Sequence, residues 1–262
     1  MTIKNSNNFS DFYNDDNNIS PADRAEIELE VNQQKETLMP ITYESLKTDP
    51  QVTTYIQSGN ETLKALGFTE HAFPHLSFTA ENAAAVLKSL NHPAETIELA
   101  KIAGLLHDIG NMMNRTFHAP IGAEIARNIL ERYGMPYKDI ATICSAIGNH
   151  DEGTGKPVNA VSAALIIADK SDVRRSRVQE TCMEDILADI HDRVNYAVTR
   201  AEIKVMHEGE KAFIRLCLDL DVNFTPVMDY FEIFLSRMMM CRRAAAFLDA
   251  EFELFINDSK IV

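Results

Sequence analysis

Ala94-Glu95-Thr96-Ile97-Glu98-Leu99-Ala100-Lys101-Ile102-Ala103-Gly104-Leu105-Leu106-His107-Asp108-Ile109-Gly110 sets the architecture. From Ala94 to Leu106 it is apolar nearly all round, apart from Glu95, Glu98 and Lys101. A helix of that kind is buried on most of its sides. It needs other helices around it, and Gly110 is placed to end it. The charged Asp108 at the end of so apolar a helix needs a cap, an ion pair or a metal as partner.

The neighbouring sequence supplies the surrounding helices. Upstream, Pro74 suits a helix start, and apolar spacing continues through Phe78, Val86, Leu87 and Leu90 until Asn91-His92-Pro93 stops it. Downstream, the pattern predicts helices over about His118–Tyr133 (closed by Gly134), Pro136–Ile147 (closed by Gly148) and Val158–Val178. After residue 200 the texture changes. Glu202–Met206 and Ala212–Leu220 read as strands joined by His207-Glu208-Gly209-Glu210. Val227–Leu248 reads as a long helix and Glu251–Ile256 as a last strand. The predicted organisation is a disordered tail (1–20), a helical extension (21–69) that opens on a charged helix over Pro21–Lys35, a helical domain (70–199) and a small α+β unit (200–262).

Composition bounds what such a chain can do. Its 262 residues are 45% hydrophobic and 24% charged, enough for a core. The net charge of −14 with no basic run argues against a long nucleic-acid partner. No apolar segment approaches the ~20 residues a membrane helix needs, and Met1–Asn18 has no apolar core of a signal peptide. Cys144, Cys182, Cys217 and Cys241 are too far apart for a CxxC pair. Together these point to a cytoplasmic protein.

Three His-Asp dipeptides occur, at His107, His150 and His191. Their positions separate them. His118 opens its helix on the row Ile121, Gly122, Ile125, Ile129, which faces inward. His150 extends the inward row Ile140, Ile143, Ile147, and His75 heads the row Thr79, Asn82, Val86. Asp169 follows Ala163-Ala164-Leu165-Ile166-Ile167-Ala168, where an ionised carboxylate costs several kcal/mol unless compensated. Taken singly, each histidine reads as a cap or core residue and Asp169 as an ion-pair partner. Taken together, four imidazoles and two carboxylates directed into one apolar bundle suit a pair of divalent metals. One Asp can bridge two ions, and a hydroxide between them is a nucleophile near neutral pH. His191-Asp192 has no companion ligand row and reads as structural. His71, four residues before His75, could flank the site but reads rather as a surface-loop residue, and Met238-Met239-Met240 reads as core or subunit interface.

The ordered set His75, His107-Asp108, His118, His150, Asp169 resembles the HD-domain metal-dependent phosphohydrolase superfamily, with Leu106-His107-Asp108-Ile109-Gly110 matching its HDIG form. The resemblance covers about residues 70–180 and implies an HD helical bundle, mainly α. It implies a first metal held by His75, His107, Asp108 and Asp169, and a second by His118 and His150, as in members that bind two ions (Fe, Mn or Zn, with Mg possible). Asp108 and His107 would then be central to catalysis. Asn149-His150-Asp151-Glu152-Gly153-Thr154-Gly155-Lys156-Pro157 looks like an altered form of the segment carried by cyclic-di-GMP-cleaving HD-GYP proteins. The spacing also looks like bacterial diadenosine-tetraphosphate hydrolases. Asn111 and Asn149 stand where relatives carry Lys and His. They motivate an alternative, a regulatory module that binds a nucleotide or cyclic dinucleotide and turns over little. A phosphate ester also needs cations, and Arg115, Lys156, Lys170, Arg174 and Arg177 are the candidates, the last two sharing a helix face. The expected substrate is a small nucleotide-like phosphomonoester or phosphodiester, and the C-terminal unit is expected to support a homo-oligomer.

Overall fold

A computed structural model describes residues 41–262. The predicted tail, the charged helix over Pro21–Lys35 and the start of the helical extension lie outside the described residues. The described chain opens with α1 (Tyr43–Lys47) and α2 (Pro50–Ala65). Asp49 caps α2, its carboxylate accepting from the N–H groups of Gln51 and Val52. The same carboxylate accepts from Arg132 and the Tyr133 hydroxyl at 2.8 and 2.5 Å, which ties α2 to a later helix. Burial pushes the Asp49 carboxyl up, but Tyr133, the Val52 N–H and Arg132 outweigh it and hold it at about 2. A depressed carboxyl stabilises the fold above its ordinary pKa and loses that contribution as pH falls toward the folded value. Asp49→Ala is therefore expected to cost about 2–3 kcal/mol in urea unfolding at pH 7, from the lost cap and the stranded partners. The deficit relative to the unmodified protein should narrow between about pH 4 and pH 2, as the unmodified protein loses the contribution.

The helices α3 (Phe73–Ser89), α4 (Ala94–Leu106), α5 (His118–Arg132), α6 (Tyr137–Gly148) and α7 (Ala160–Lys170) form the bundle. Their ends agree with the sequence pattern except in one place. The helix predicted to run to Val178 stops at Lys170, and a 3₁₀ turn follows at Arg175–Arg177. Just past that end, the buried Asp172 carboxylate meets His75 on α3. Every residue of α7 from Val161 onward is buried, with α3, α4 and α6 packed around it. Gly104 lets α4 approach α3 closely, since a Cβ there would lie 2.6 Å from Ala80 Cα. Gly110 does the same where the 3₁₀ turn Ile109–Met112 crosses α5, and a Cβ would collide with the backbone of His118 and Gly122.

Two helices that the sequence pattern left unassigned follow, α8 (Met183–Ala188) and α9 (Ile190–Ala197). The C-terminal part is a four-stranded sheet in the order β1 (Val198–Glu208), β2 (Lys211–Leu220), β3 (Ala250–Ile256), β4 (Ser259–Lys260). β1 and β2 form an antiparallel hairpin, whereas β2 and β3 run parallel, joined by α10 (Val227–Phe247). Ile214, Leu216 and Leu218 share a face with Phe252, Leu254 and Ile256. α10 packs on β3 and β2 with one side and on α7 with another, so bundle and sheet share one hydrophobic core. Ion pairs such as Arg215 with Glu253 and Arg200 with Asp219 cover the opposite face. Met238 and Met240 are buried in the core, while Met239 is exposed. Among the described residues no helix is long and apolar enough to cross a membrane.

Candidate metal centre

The ends of five bundle helices meet at one point. His75 lies in the first turn of α3, and His107 caps the C-terminus of α4. His118 opens α5, directly after Phe117 in a left-handed conformation with φ of 63°. His150 lies two residues beyond α6, and Asp169 sits in the last turn of α7. All are buried.

Each imidazole is oriented through its Nδ1. His107 Nδ1–H donates to the Gly104 carbonyl (2.9 Å), His118 to Arg115 (3.0 Å) and His150 to Ile147 (2.6 Å). His75 Nδ1–H donates to the Asp172 carboxylate at 2.8 Å. Because these partners only accept, the hydrogen of each neutral ring resides on Nδ1 and its Nε2 carries the lone pair. Those lone pairs converge. The Nε2 atoms of His75 and His107 are 3.3 Å apart, and those of His118 and His150 are 3.1 Å apart.

Asp108 lies between the two imidazole pairs. Its Oδ2 is 3.6 Å from His75 Nε2 and 3.2 Å from His107 Nε2. Its Oδ1 is 3.4 Å from His118 and 3.7 Å from His150. Asp169 Oδ1 joins the first pair, at 3.4 Å from His75 and 3.6 Å from His107. Two donor groups therefore share one carboxylate. Lone pairs facing lone pairs in a buried site repel one another unless a cation sits between them. The donor set, imidazole nitrogen with carboxylate oxygen, is that of a transition-metal site. The residues could hold a divalent metal.

The electrostatics agree. Burial pushes the Asp108 and Asp169 carboxyls up, yet His107 beside the first and Lys170 beside the second hold both well below the usual range. Burial lowers His107, but Asp108 and Asp169 overcome it and raise it to about 10. A proton on His107 and a metal cation answer the same excess of negative charge. Burial, with His150 and Arg115 nearby, takes His118 down to about 4, so its lone pair is free at neutral pH. Asn111, buried at the end of the 3₁₀ turn, donates to Asp108 Oδ1 at 2.9 Å and fixes the shared carboxylate. Asn149 instead turns back on α6 and donates to the Ser145 carbonyl.

A cavity of about 340 Å³ opens above the cluster, lined by Asp108, His118, His150 and Asp169. Three of the expected cations reach it. Arg115 has its Nη1 3.9 Å from Asp108 Oδ1, Lys170 Nζ is 2.7 Å from Asp169 Oδ2, and Arg177 forms part of the wall. Two do not line it. Lys156 is exposed on the loop after His150, which folds back at Gly155. Arg174 donates to both oxygens of Asp172 and lies 4.1 Å from the Phe78 ring centre. The early end of α7 removes the helix face that Arg174 and Arg177 were expected to share.

The sequence reading missed several lining residues. His71 reads as a loop residue, but its ring lines the cavity with Nε2 3.9 Å from Asp108 Oδ2. Its spacing of four before His75 was the available signal. His191 and Asp192 also line the cavity. Phe68 forms part of the rim, 42% exposed, with the Arg115 guanidinium 5.7 Å from its ring centre. Arg237 reaches the cavity from α10, and with Ser236 it bonds Glu152 on the loop after His150. No local pattern links residues that far apart in sequence.

The HD domain family model matches residues 73–197 of the chain. Over 197 residues the chain is 26% identical to an uncharacterised protein of Methanocaldococcus jannaschii, covering 66% of this chain and 74% of that one. It is 30% identical over 109 residues to ribonuclease Y of Campylobacter hominis and 26% identical over 155 residues to that of Enterococcus faecalis. These matches cover 40% and 52% of this chain but only 19% and 28% of the ribonucleases. The crystal structure of a predicted HD superfamily hydrolase from an uncultured Thermotogales bacterium aligns with a TM-score of 0.39 and 24% identity, over 47% of this chain and 67% of that one.

Proposed function

We propose that the chain is a metal-dependent phosphohydrolase that cleaves a small nucleotide-type phosphomonoester or phosphodiester. The observation that carries this reading is the division of six buried donors into two groups by the oxygens of Asp108, at the floor of a cation-lined cavity. His75, His107, Asp169 and Asp108 Oδ2 would hold one divalent ion, and His118, His150 and Asp108 Oδ1 a second. Bound there, such ions supply Lewis acidity and lower the pKa of a coordinated water. The chain's own residues do the rest. Arg115, Lys170 and Arg177 place positive charge where phosphoryl oxygens gain negative charge. The Phe68 ring at the rim offers a face for a base. The cavity volume and the −14 net charge favour a small substrate over a long polynucleotide.

The regulatory-module reading rests on Asn111 and Asn149. Asn111 holds Asp108 in place, and Asn149 faces away from the cluster, so neither residue removes a donor from the site. Purified protein is expected to contain between one and two transition-metal ions per chain by elemental analysis. With Mn²⁺ or Fe²⁺ added, it is expected to hydrolyse at least one member of a panel of nucleoside monophosphates, cyclic dinucleotides and dinucleoside polyphosphates. Tight binding of a panel member with no turnover of any would favour the regulatory module. Absence of metal after reconstitution would sink both readings.

A further inference from the structure

We infer that Asp172 is a positioning residue for the candidate metal centre: it fixes the tautomer and ring orientation of His75, and Arg174 and Arg177 serve to hold it there. The inference rests on the metal reading above and extends it to three residues with no donor atom in the cluster.

Three of the four converging histidines are oriented by a backbone carbonyl three residues earlier in the chain. His75 differs. Like His118 it lies in the first turn of its helix, but its Nδ1 acceptor is a side chain. Its acceptor comes from 97 residues away. The Asp172 side chain is 0% exposed, so its charge is desolvated and must be compensated. Arg174 supplies the compensation with Nε 2.6 Å from Oδ1 and Nη2 2.9 Å from Oδ2. Arg177, also buried, donates from Nη1 to the Asp172 carbonyl at 3.2 Å. Oδ2 thus accepts from both Arg174 and His75. The helix α7 ends at Lys170, and Arg174 and Arg177 beyond it both bond Asp172.

A carboxylate at Nδ1 keeps the hydrogen there, leaves Nε2 bare and makes that nitrogen a better ligand. Asn at this position would offer one oxygen to three N–H donors, and the permanently charged Arg174 competes for it. Glu keeps the carboxylate, with one more methylene to accommodate.

The test uses the full chain and Zn²⁺ alone, titrated in competition with a chelating dye, on the unmodified protein, Asp172→Asn and Asp172→Glu. NMR of the zinc-loaded proteins follows the exchange-protected His75 Nδ1–H. Asp172→Asn is expected to bind zinc about 10–100-fold more weakly and to lose that signal, the range found for outer-shell partners of ligating histidines. Asp172→Glu is expected to retain the signal and recover most of the affinity. Wild-type affinity in a folded Asp172→Asn protein would overturn the inference. So would equal losses in both variants with the His75 signal intact, because the carboxylate would then be only a packing element. If Asp172→Asn does not fold, Asp172→Glu decides alone: retained signal and affinity support the inference, and a tenfold loss with the signal intact overturns it. Failure of the unmodified protein to bind zinc would instead defeat the metal reading itself.

Discussion

Asp108→Ala is expected to yield protein that purifies with almost no metal and turns over no nucleotide that the unmodified chain cleaves. The geometry makes this the most damaging single change. One oxygen of Asp108 lies within 3.6 Å of both His75 and His107, and the other within 3.7 Å of both His118 and His150. Removing it deprives both donor groups of a negative ligand and leaves four neutral imidazoles with Asp169 alone. Turnover should fall by roughly a thousandfold or more, beyond the loss typical of one transition-state hydrogen bond. His191→Ala is the matched control. His191 lines the same cavity but is oriented toward Asp189, with its Nδ1 3.8 Å from that carboxylate, so metal content should not change. Loss of metal in His191→Ala together with retention in Asp108→Ala would show that the wrong His-Asp pair has been chosen.

His118→Ala and His150→Ala are expected to lower the stoichiometry toward one ion per chain while leaving the other ion bound. Both imidazoles belong to the donor group built on Asp108 Oδ1, and neither is needed by the group that contains Asp169. Losing one of about three protein ligands should weaken that ion by at least the 10–100-fold known for outer-shell changes. Activity should follow, since the reacting centre would lose one of its two Lewis acids. The measurement is metals per chain beside phosphodiesterase rate. Unchanged values in both variants would mean that the two histidines are core groups and that the site is mononuclear.

The parts of this arrangement that were legible in the sequence are those whose signal is local. His107, Asp108 and Asp169 stand out because each interrupts an apolar helix, and burying a charge without a partner is costly. His118 and His150 continue inward rows of isoleucines. What stayed hidden depends on distant pairing. Nothing near Lys170 announces that α7 ends there, nor that Asp172 just beyond it bonds a residue on α3. Arg174 and Arg177 therefore looked like a phosphate-binding pair when one of them serves a buried carboxylate. His71 sits in a loop, where no periodicity gives its direction. The parallel pairing of β2 with β3 likewise needs a crossover through α10 that strand patterns alone do not encode.

The docking of α10 against α7 has a consequence for the order in which the molecule matures. All six candidate ligands have been synthesised once residue 169 is made. The helix that covers α7, and that carries the Arg237 and Ser236 bonds to Glu152, is not made until about seventy residues later. During that interval the nascent bundle exposes the apolar side of its central helix, a surface prone to association. The cavity acquires its Arg237 wall only when α10 docks, so a growing chain can present the donors before it has the finished pocket.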